Sequence, residues 1–253
     1  MNTLYIVGTP IGNLEDISMR ALRILGEVDF VLCEDTRVTG KLLSHYQIKT
    51  PTISYHQHSN DIKENKILDM LAAGKNIALV SDAGTPGISD PGGLLVQAVI
   101  DRFGDDIKIE SVPGPSAATA ALSISGIATD KFIFMGFPPH KKGRQTFIQN
   151  IFTSVYPVVV YESKHRIIKF LEEVVKLNKE IVKQNQKIDE INQQAKSGKD
   201  RLEKRVPVTS VVVCRELSKM HETVYRGDLD NIIEKIKNNN NDQKGEFTVI
   251  LGK

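Results

Sequence analysis

Residues 76–93 read NIALVSDAGTPGISDPGG. A short apolar run gives way to a loop that holds four glycines, two prolines and two aspartates in the fifteen positions from Leu79 to Gly93. Glycine opens backbone conformations closed to other residues and proline closes most of them, so a loop rich in both follows one specified course. The apolar run is β-like, and the pattern LLVQAVIDRF that follows the loop is helical. The loop therefore sits at the carboxyl end of a strand in a βα unit, the edge at which open α/β sheets bind ligands. It has neither the lysine of a P-loop nor the spacing of a dinucleotide fingerprint.

Outward from this stretch the same alternation continues. TLYIV, VDFVLC, PTISY and IKIESV are strand-like, while ISMRALRILGE, DIKENKILDMLAAG and SAATAALSIS carry apolar residues at helical spacing. This order predicts a mostly parallel sheet flanked by helices over residues 1–118. Residues 119–253 have another texture. KFIFMGF, YPVVVYES, VPVTSVVVC, ETVYRG and GEFTVILG are strands, with helices near 144–152, 164–177 and 229–238, which predicts a second, α+β domain with a mixed sheet. Residues 178–205 are polar and helix-compatible with few apolar positions, and are expected to form an exposed helical excursion rather than core. KNNNNDQKG, residues 237–245, reads as a surface loop.

A chain of 253 residues, 40% hydrophobic and 25% charged, is ordinary globular material. No apolar run approaches the roughly 20 residues that span a bilayer, and the amino-terminal stretch lacks the pattern of a signal peptide, so a cytoplasmic protein without a membrane segment is expected. Cys33 and Cys214, each beside an apolar run, leave no disulfide framework, and six histidines without an H-x-x-x-H pair leave no metal site. The net charge of +2 hides a division. Residues 1–130 hold 10 Lys+Arg against 16 Asp+Glu, a net −6, and residues 131–253 hold 23 against 15, a net +8. A basic half suits a polyanionic partner, whose counterions are released on binding, or it merely solubilises a surface.

Several further loops are dense in polar or backbone-special residues. GTPIGNLEDIS, residues 8–18, has Gly8 and Gly12 for close backbone approach. CEDTRVTGKLL, residues 33–43, brings Glu34, Asp35 and Arg37 to a strand end, where they could supply a base and a phosphate contact; the plainer reading is an Asp–Arg pair with Thr36 or Thr39 capping a helix. VPGPSAATAA, residues 112–121, places Ser116 and Ala117 at a helix start suited to an anion or to a plain cap. In the basic half, GFPPHKKGR carries Lys141, Lys142 and Arg144, and YESKHR carries Arg166; basic residues on loops can grip phosphates.

Taken in order, YIVGTPIGNLEDIS, CEDTR, SDAGTPGISDPG, VPGPSA, YESKHR, RELSKMHETVYRG and KGEFTVILG resemble the tetrapyrrole methylase superfamily (class III methyltransferases), and within it the branch that acts on ribosomal RNA. The resemblance implies two α/β domains with S-adenosylmethionine in the cleft between them, a homodimer, and 2′-O-methylation of a cytidine ribose in the decoding region of small-subunit (16S) rRNA. Carried over by motif position, it implies donor contacts at Ile11, Asp82, Thr85, Ser116 and Ala117, with Tyr161, Cys214 and Phe247 on the adenosine side. The residues' own chemistry, not the resemblance, offers Glu34, Asp35 and Glu162 as acids, with Arg37, Arg166 and Arg215 for phosphate; Glu34, Asp35 and Arg37 are the catalytic candidates, and Lys141, Lys142, Arg144 and Arg166 those for RNA. The lysine of YESKHR and the polar segment 178–205 depart from the family pattern. The alternatives are a small-molecule, tetrapyrrole-type methylase and a protein that binds the donor without transferring its methyl group.

Overall fold

The computed structural model describes residues 2–56, 61–89, 92–194, 201–239 and 241–253. The chain divides into two compact units, Met1–Ala117 and Ala118–Lys253.

The first unit alternates strands and helices: β1 Thr3–Val7, α1 Met19–Glu27, β2 Phe30–Cys33, α2 Thr36–His45, β3 Thr52–Ser54, α3 Asp61–Ala72, β4 Ile77–Leu79, α4 Gly92–Phe103, β5 Lys108–Val112 and the start of α5 Ala117–Ser123. Every strand pairing is parallel, in the order β3-β2-β4-β1-β5. Strand side chains alternate between faces, and both faces are covered. Val7, Val31, Cys33, Ala78 and Val80 join α1 and α2 in one core, while Leu4, Leu32, Ile77 and Leu79 join α3 and α4 in the other. Helix α1 shows the local logic. Ser18 caps it by accepting from the Ala21 amide at 3.1 Å, and Ala21, Ile24 and Leu25 form its buried stripe.

The second unit holds β6 Ile133–Phe134, α6 Arg144–Ile151, β7 Val158–Ser163, α7 Ile167–Gln194, β8 Ser210–Arg215, β9 Thr223–Gly227, α8 Leu229–Asn238 and β10 Glu246–Gly252. Its sheet runs β6-β7-β10-β8-β9, with β6 parallel to β7 and the other pairs antiparallel. Val158, Val160, Val211, Val213, Val249 and Leu251 pack one face against α6, α7 and α8, around the fully enclosed Phe152 and Phe170. Burial of each such large side chain stabilises the fold by about 1.5–3 kcal/mol. The junction segment 118–127 meets the sheet too: the Ala118 amide donates to the Tyr161 hydroxyl at 3.0 Å, and Arg226 donates to the Ile124 carbonyl.

The expectation for residues 178–205 is corrected at Ile181 and otherwise holds where the stretch is described, since residues 182–193 are helical and exposed or half-buried. Helix α7 is 28 residues long, and Ile181, only 1% exposed, belongs to the core. Beyond it the chain returns along the helix, held by three asparagines spaced seven apart. Asn178 both donates to the Val208 carbonyl and accepts from its amide, Asn185 donates to the Arg205 carbonyl, and Asn192 exchanges two bonds with Leu202. Seven helical residues advance about 10.5 Å and three extended residues about 10 Å, so the two repeats stay in step. Residues 195–200 lie outside the described residues. Among the described residues, no helix is long and apolar enough to cross a membrane.

Candidate functional site

In the first unit the carboxyl ends of β2, β4, β1 and β5 lie side by side, and the four loops singled out by sequence leave from them. They are stitched together. The Thr9 amide donates to the Gly84 carbonyl at 2.9 Å and the Gly84 amide donates to the Thr9 carbonyl at 3.1 Å, so the loops after β1 and β4 form a small antiparallel bridge. The Thr9 hydroxyl, buried, donates to the Ser81 carbonyl at 3.0 Å. The Gly8 amide donates to the Val112 carbonyl at 3.0 Å. A Cβ on Gly8 would lie 2.8 Å from the Gly114 backbone, and one on Gly114 would lie 2.8 Å from that of Gly8. Only glycine at both positions lets these two loops cross in contact. Gly84 takes a positive φ of 84°, with Ile11 Cγ2 and the Pro115 carbonyl 3.7 Å from where its Cβ would stand.

The fourth loop closes the row. The Asp35 amide donates to Asp82 Oδ1 at 3.2 Å, linking the ends of β2 and β4. Asp35 caps α2, accepting from the Arg37 amide at 2.8 Å, and its carboxylate pairs with the Arg37 guanidinium at 2.6 Å. The cap is thus Asp35 itself rather than Thr36 or Thr39; Thr39 is buried. Hydrogen bonds from the Arg37 side chain, then from its amide, pull the Asp35 carboxyl down to about 2. Asp82 is exposed, Thr85, Ser116 and Ala117 are half-buried, and Ile11 is buried against the Gly84 turn.

In the second unit, the carboxyl ends of β6, β7 and β8 share one end of the sheet. Three buried or half-buried arginines stand there. Arg144, 7% exposed, lies 2.8 Å from Glu173 and 3.5 Å from the enclosed Glu162. Arg166 pairs with Glu162 at 2.8 Å and donates to the Pro138 carbonyl at 2.9 Å. Arg215 donates to the carbonyls of Lys244, His221 and Asn241 at 2.7, 2.9 and 2.6 Å.

The family profile of tetrapyrrole (corrin/porphyrin) methylases matches residues 3–233. Curated relatives named ribosomal RNA small subunit methyltransferase I include one from Synechocystis, 41% identical over 99% of this chain and 79% of its own length. Another, from Thermotoga maritima, is 37% identical over 99% of this chain and 98% of its own. The chain belongs to the tetrapyrrole methylase family, on the branch of ribosomal RNA small subunit methyltransferase I. Solved structures similar to this tetrapyrrole methylase include a diphthine synthase, with a TM-score of 0.67 at 13% identity, covering 100% of this chain and 90% of that one. A uroporphyrin-III-C-methyltransferase from Thermus thermophilus has a TM-score of 0.61 at 17% identity, covering 99% and 94%. At such identities the likeness is one of fold.

The methylase fold brings the first-unit candidates together and redistributes the others. Arg144 and Arg166 carry neighbouring carboxylates, and Arg144 is sealed from solvent, so neither guanidinium is offered as freely as Lys141 and Lys142, which are exposed. The Cys214 and Phe247 side chains are enclosed in the sheet, and burial raises the Cys214 thiol to about 11. Neither side chain is offered to a ligand. Tyr161 is half-buried, its hydroxyl tied to Ala118, and its ring meets Phe134 at 4.8 Å and Phe137 at 5.4 Å. Sequence reading missed Thr9, which ties two loops, and the bracing roles of Glu162 and Arg215. The signal for Glu162 is its place in VVVYES, an acid on the same strand face as Val158 and Val160, where burial demands a cation.

Proposed function

We propose that this chain transfers the methyl group of S-adenosylmethionine to the 2′-oxygen of a cytidine ribose in the decoding region of small-subunit rRNA. The observation that carries the reading is the row of four stitched loops at the carboxyl edge of a parallel sheet, in a chain about 40% identical over nearly its whole length to relatives named for small-subunit rRNA methylation. The basic second half adds charge complementarity to a polyanion.

The first-unit loops fit the donor on their own chemistry. S-adenosylmethionine supplies an electrophilic methyl group on a sulfonium, flanked by ribose hydroxyls and an amino-acid end. Asp82 is an exposed carboxylate able to accept from hydroxyls or an ammonium group. The Gly8–Gly114 crossing holds the loops after β1 and β5 in direct backbone contact, which fixes their course beside Asp82 and the Gly84 turn. Ile11 and Thr85 border the Gly84 turn, and Ser116 and Ala117 follow Gly114, so all can approach the same ligand.

A ribose hydroxyl is a weak nucleophile that benefits from a carboxylate accepting its proton. Asp35, held near 2 by Arg37, has little affinity for a proton at neutral pH, and Glu162 is buried in its ion pairs. This reading assigns proton acceptance to Glu34 and keeps Asp35 as the cap that orients the loop. This reading gives a phosphate contact to Arg37, whose side chain is largely exposed beyond its pair with Asp35.

The test is transfer of labelled methyl from S-adenosylmethionine to small ribosomal subunits from cells lacking this protein, with nucleoside analysis of the product. The expected product is 2′-O-methylcytidine. Donor binding without incorporation into subunits or free rRNA would overturn the reading in favour of a small-molecule acceptor.

A further inference from the structure

We infer that the carboxyl end of the second unit's sheet is a face for single-stranded RNA, on which Lys141, Lys142, Lys164 and Lys244 take phosphates and Met220, on a rigid turn, packs against an unstacked base. The inference rests on the proposed function and adds to it how the substrate is held.

Three of the loops at this end are braced by arginines acting on main-chain carbonyls, and the loop of Lys164 is held by Arg166 Nε donating to Ser163 Oγ at 3.3 Å. Arg166 and Arg144 donate to Pro138 and Pro139, the turn that carries Lys141 and Lys142. Arg215 ties the turn 216–222 to the loop of Lys244. The carboxylates of this end are already engaged: Glu162 and Glu173 with arginines, Glu216 and Glu246 with Lys219, Glu222 with the Ser218 amide, and Asp242 beside Arg215. The four lysines are exposed, and among the described residues none of them has an ion pair. Arg144, Arg166, Arg215 and Lys219 offset four of these six carboxylates, and the four exposed lysines then give the loops a net positive charge.

The turn 216–222 is more tightly specified than a surface connection requires. Glu216 and Ser218 both hold positive φ, 52° and 62°. Lys219 bridges Glu216 and Glu246 at 3.0 and 2.8 Å, and the Glu216 carboxylate accepts from the Glu246 amide at 2.9 Å. Backbone strain persists only where surroundings over-determine it, and it gathers at functional sites. What this turn presents outward is Met220, 93% exposed, beside exposed His221. A polarizable thioether on a rigid support packs well against the face of any base, and lysine-plus-stacking surfaces hold single strands without reading their sequence.

The test uses the full chain and a single-stranded oligoribonucleotide of rRNA decoding-region sequence, with affinity measured across salt concentrations. The double substitution Lys164→Ala and Lys244→Ala is expected to flatten the log–log salt slope by about 1.4, at about 0.7 per lost phosphate contact. Met220→Ala is expected to weaken binding about two- to tenfold with the slope and thermal midpoint unchanged, and Met220→Leu to restore most of it. If the wild-type chain neither binds nor methylates RNA, the proposed function falls with this inference. If the wild type does both and all three variants match it, the inference alone is overturned.

Discussion

At the scale of single residues, cations of one sign and similar spacing divide by burial into two kinds. Arg144 is enclosed with Glu162 and Glu173, whereas Lys141, three positions earlier, is exposed. Removing one partner from a buried ionic network leaves an uncompensated charge, so Glu162→Gln should destabilise the fold by about 3 kcal/mol in urea unfolding. Lys141→Ala should stay within about 0.5 kcal/mol. Equal costs would show that Arg144 and Arg166 find water or other acceptors. Asp35 gives a pH signature. Its folded carboxyl, near 2, is depressed from an ordinary 3.8, so its charge contributes stability that is present above pH 3.8 and lost as pH falls through 2. Asp35→Asn keeps a capping side chain but removes the charge. The thermal midpoint of the wild type should exceed that of the variant at pH 6, and the gap should close between pH 4 and 2. A gap independent of pH would mean that the charge itself does nothing. Sequence could place Glu34, Asp35 and Arg37 together because they are adjacent. It could not show that Asp35 turns inward as the cap, because Thr36 and Thr39 offer the same chemistry one and four positions later.

At the scale of elements, the first unit was legible because its strands and helices are short and each carries its own periodicity. Alternation in Leu4, Tyr5, Ile6 and Val7 assigns the two faces of β1, and Ala21, Ile24 and Leu25 define the buried face of α1. Helix α7 defeated part of the same reasoning. Past Ile181 the helix is exposed or half-buried, as its composition suggests, yet Asn185 and Asn192 also bond the returning chain, which composition does not show. The partner that satisfies them, residues 202–208, lies 10 to 30 positions away, and no local pattern announces it. Asn178, bonded twice at the core end, should cost about 1–2 kcal/mol when replaced by alanine, since Val208 then loses partners for its amide and carbonyl together. Asn192→Ala should leave global stability within about 0.5 kcal/mol and speed amide exchange at Leu202 and its neighbours by tenfold or more. Unchanged exchange there would mean that packing, and not the asparagines, holds the returning chain.

At the scale of the whole molecule, each unit gathers its special loops at the carboxyl ends of its parallel strands, and the two sets have opposite electrical character. The first set is built of glycine crossings, main-chain bridges and Asp82, in a half of net −6; the second presents lysines in a half of net +8. A small donor of net charge +1 contacting main chain and one carboxylate exchanges few counterions, while a strand gripped through four phosphates releases several. Raising salt from 50 to 200 mM should therefore weaken RNA about fiftyfold at four single-strand contacts, and weaken S-adenosylmethionine little. Hydrogen exchange can read both ligands in one experiment. S-adenosylmethionine should protect amides of residues 8–13, 81–87 and 112–117 at either salt concentration. The oligoribonucleotide should protect 138–144, 163–166 and 216–222 at the lower concentration and release them at the higher. Donor protection that disappeared with salt would mean that ion pairing, rather than the glycine-lined main chain, holds the donor. RNA protection that survived salt would transfer the work from lysines to stacking and hydrogen bonds, because only phosphate neutralisation carries a counterion slope.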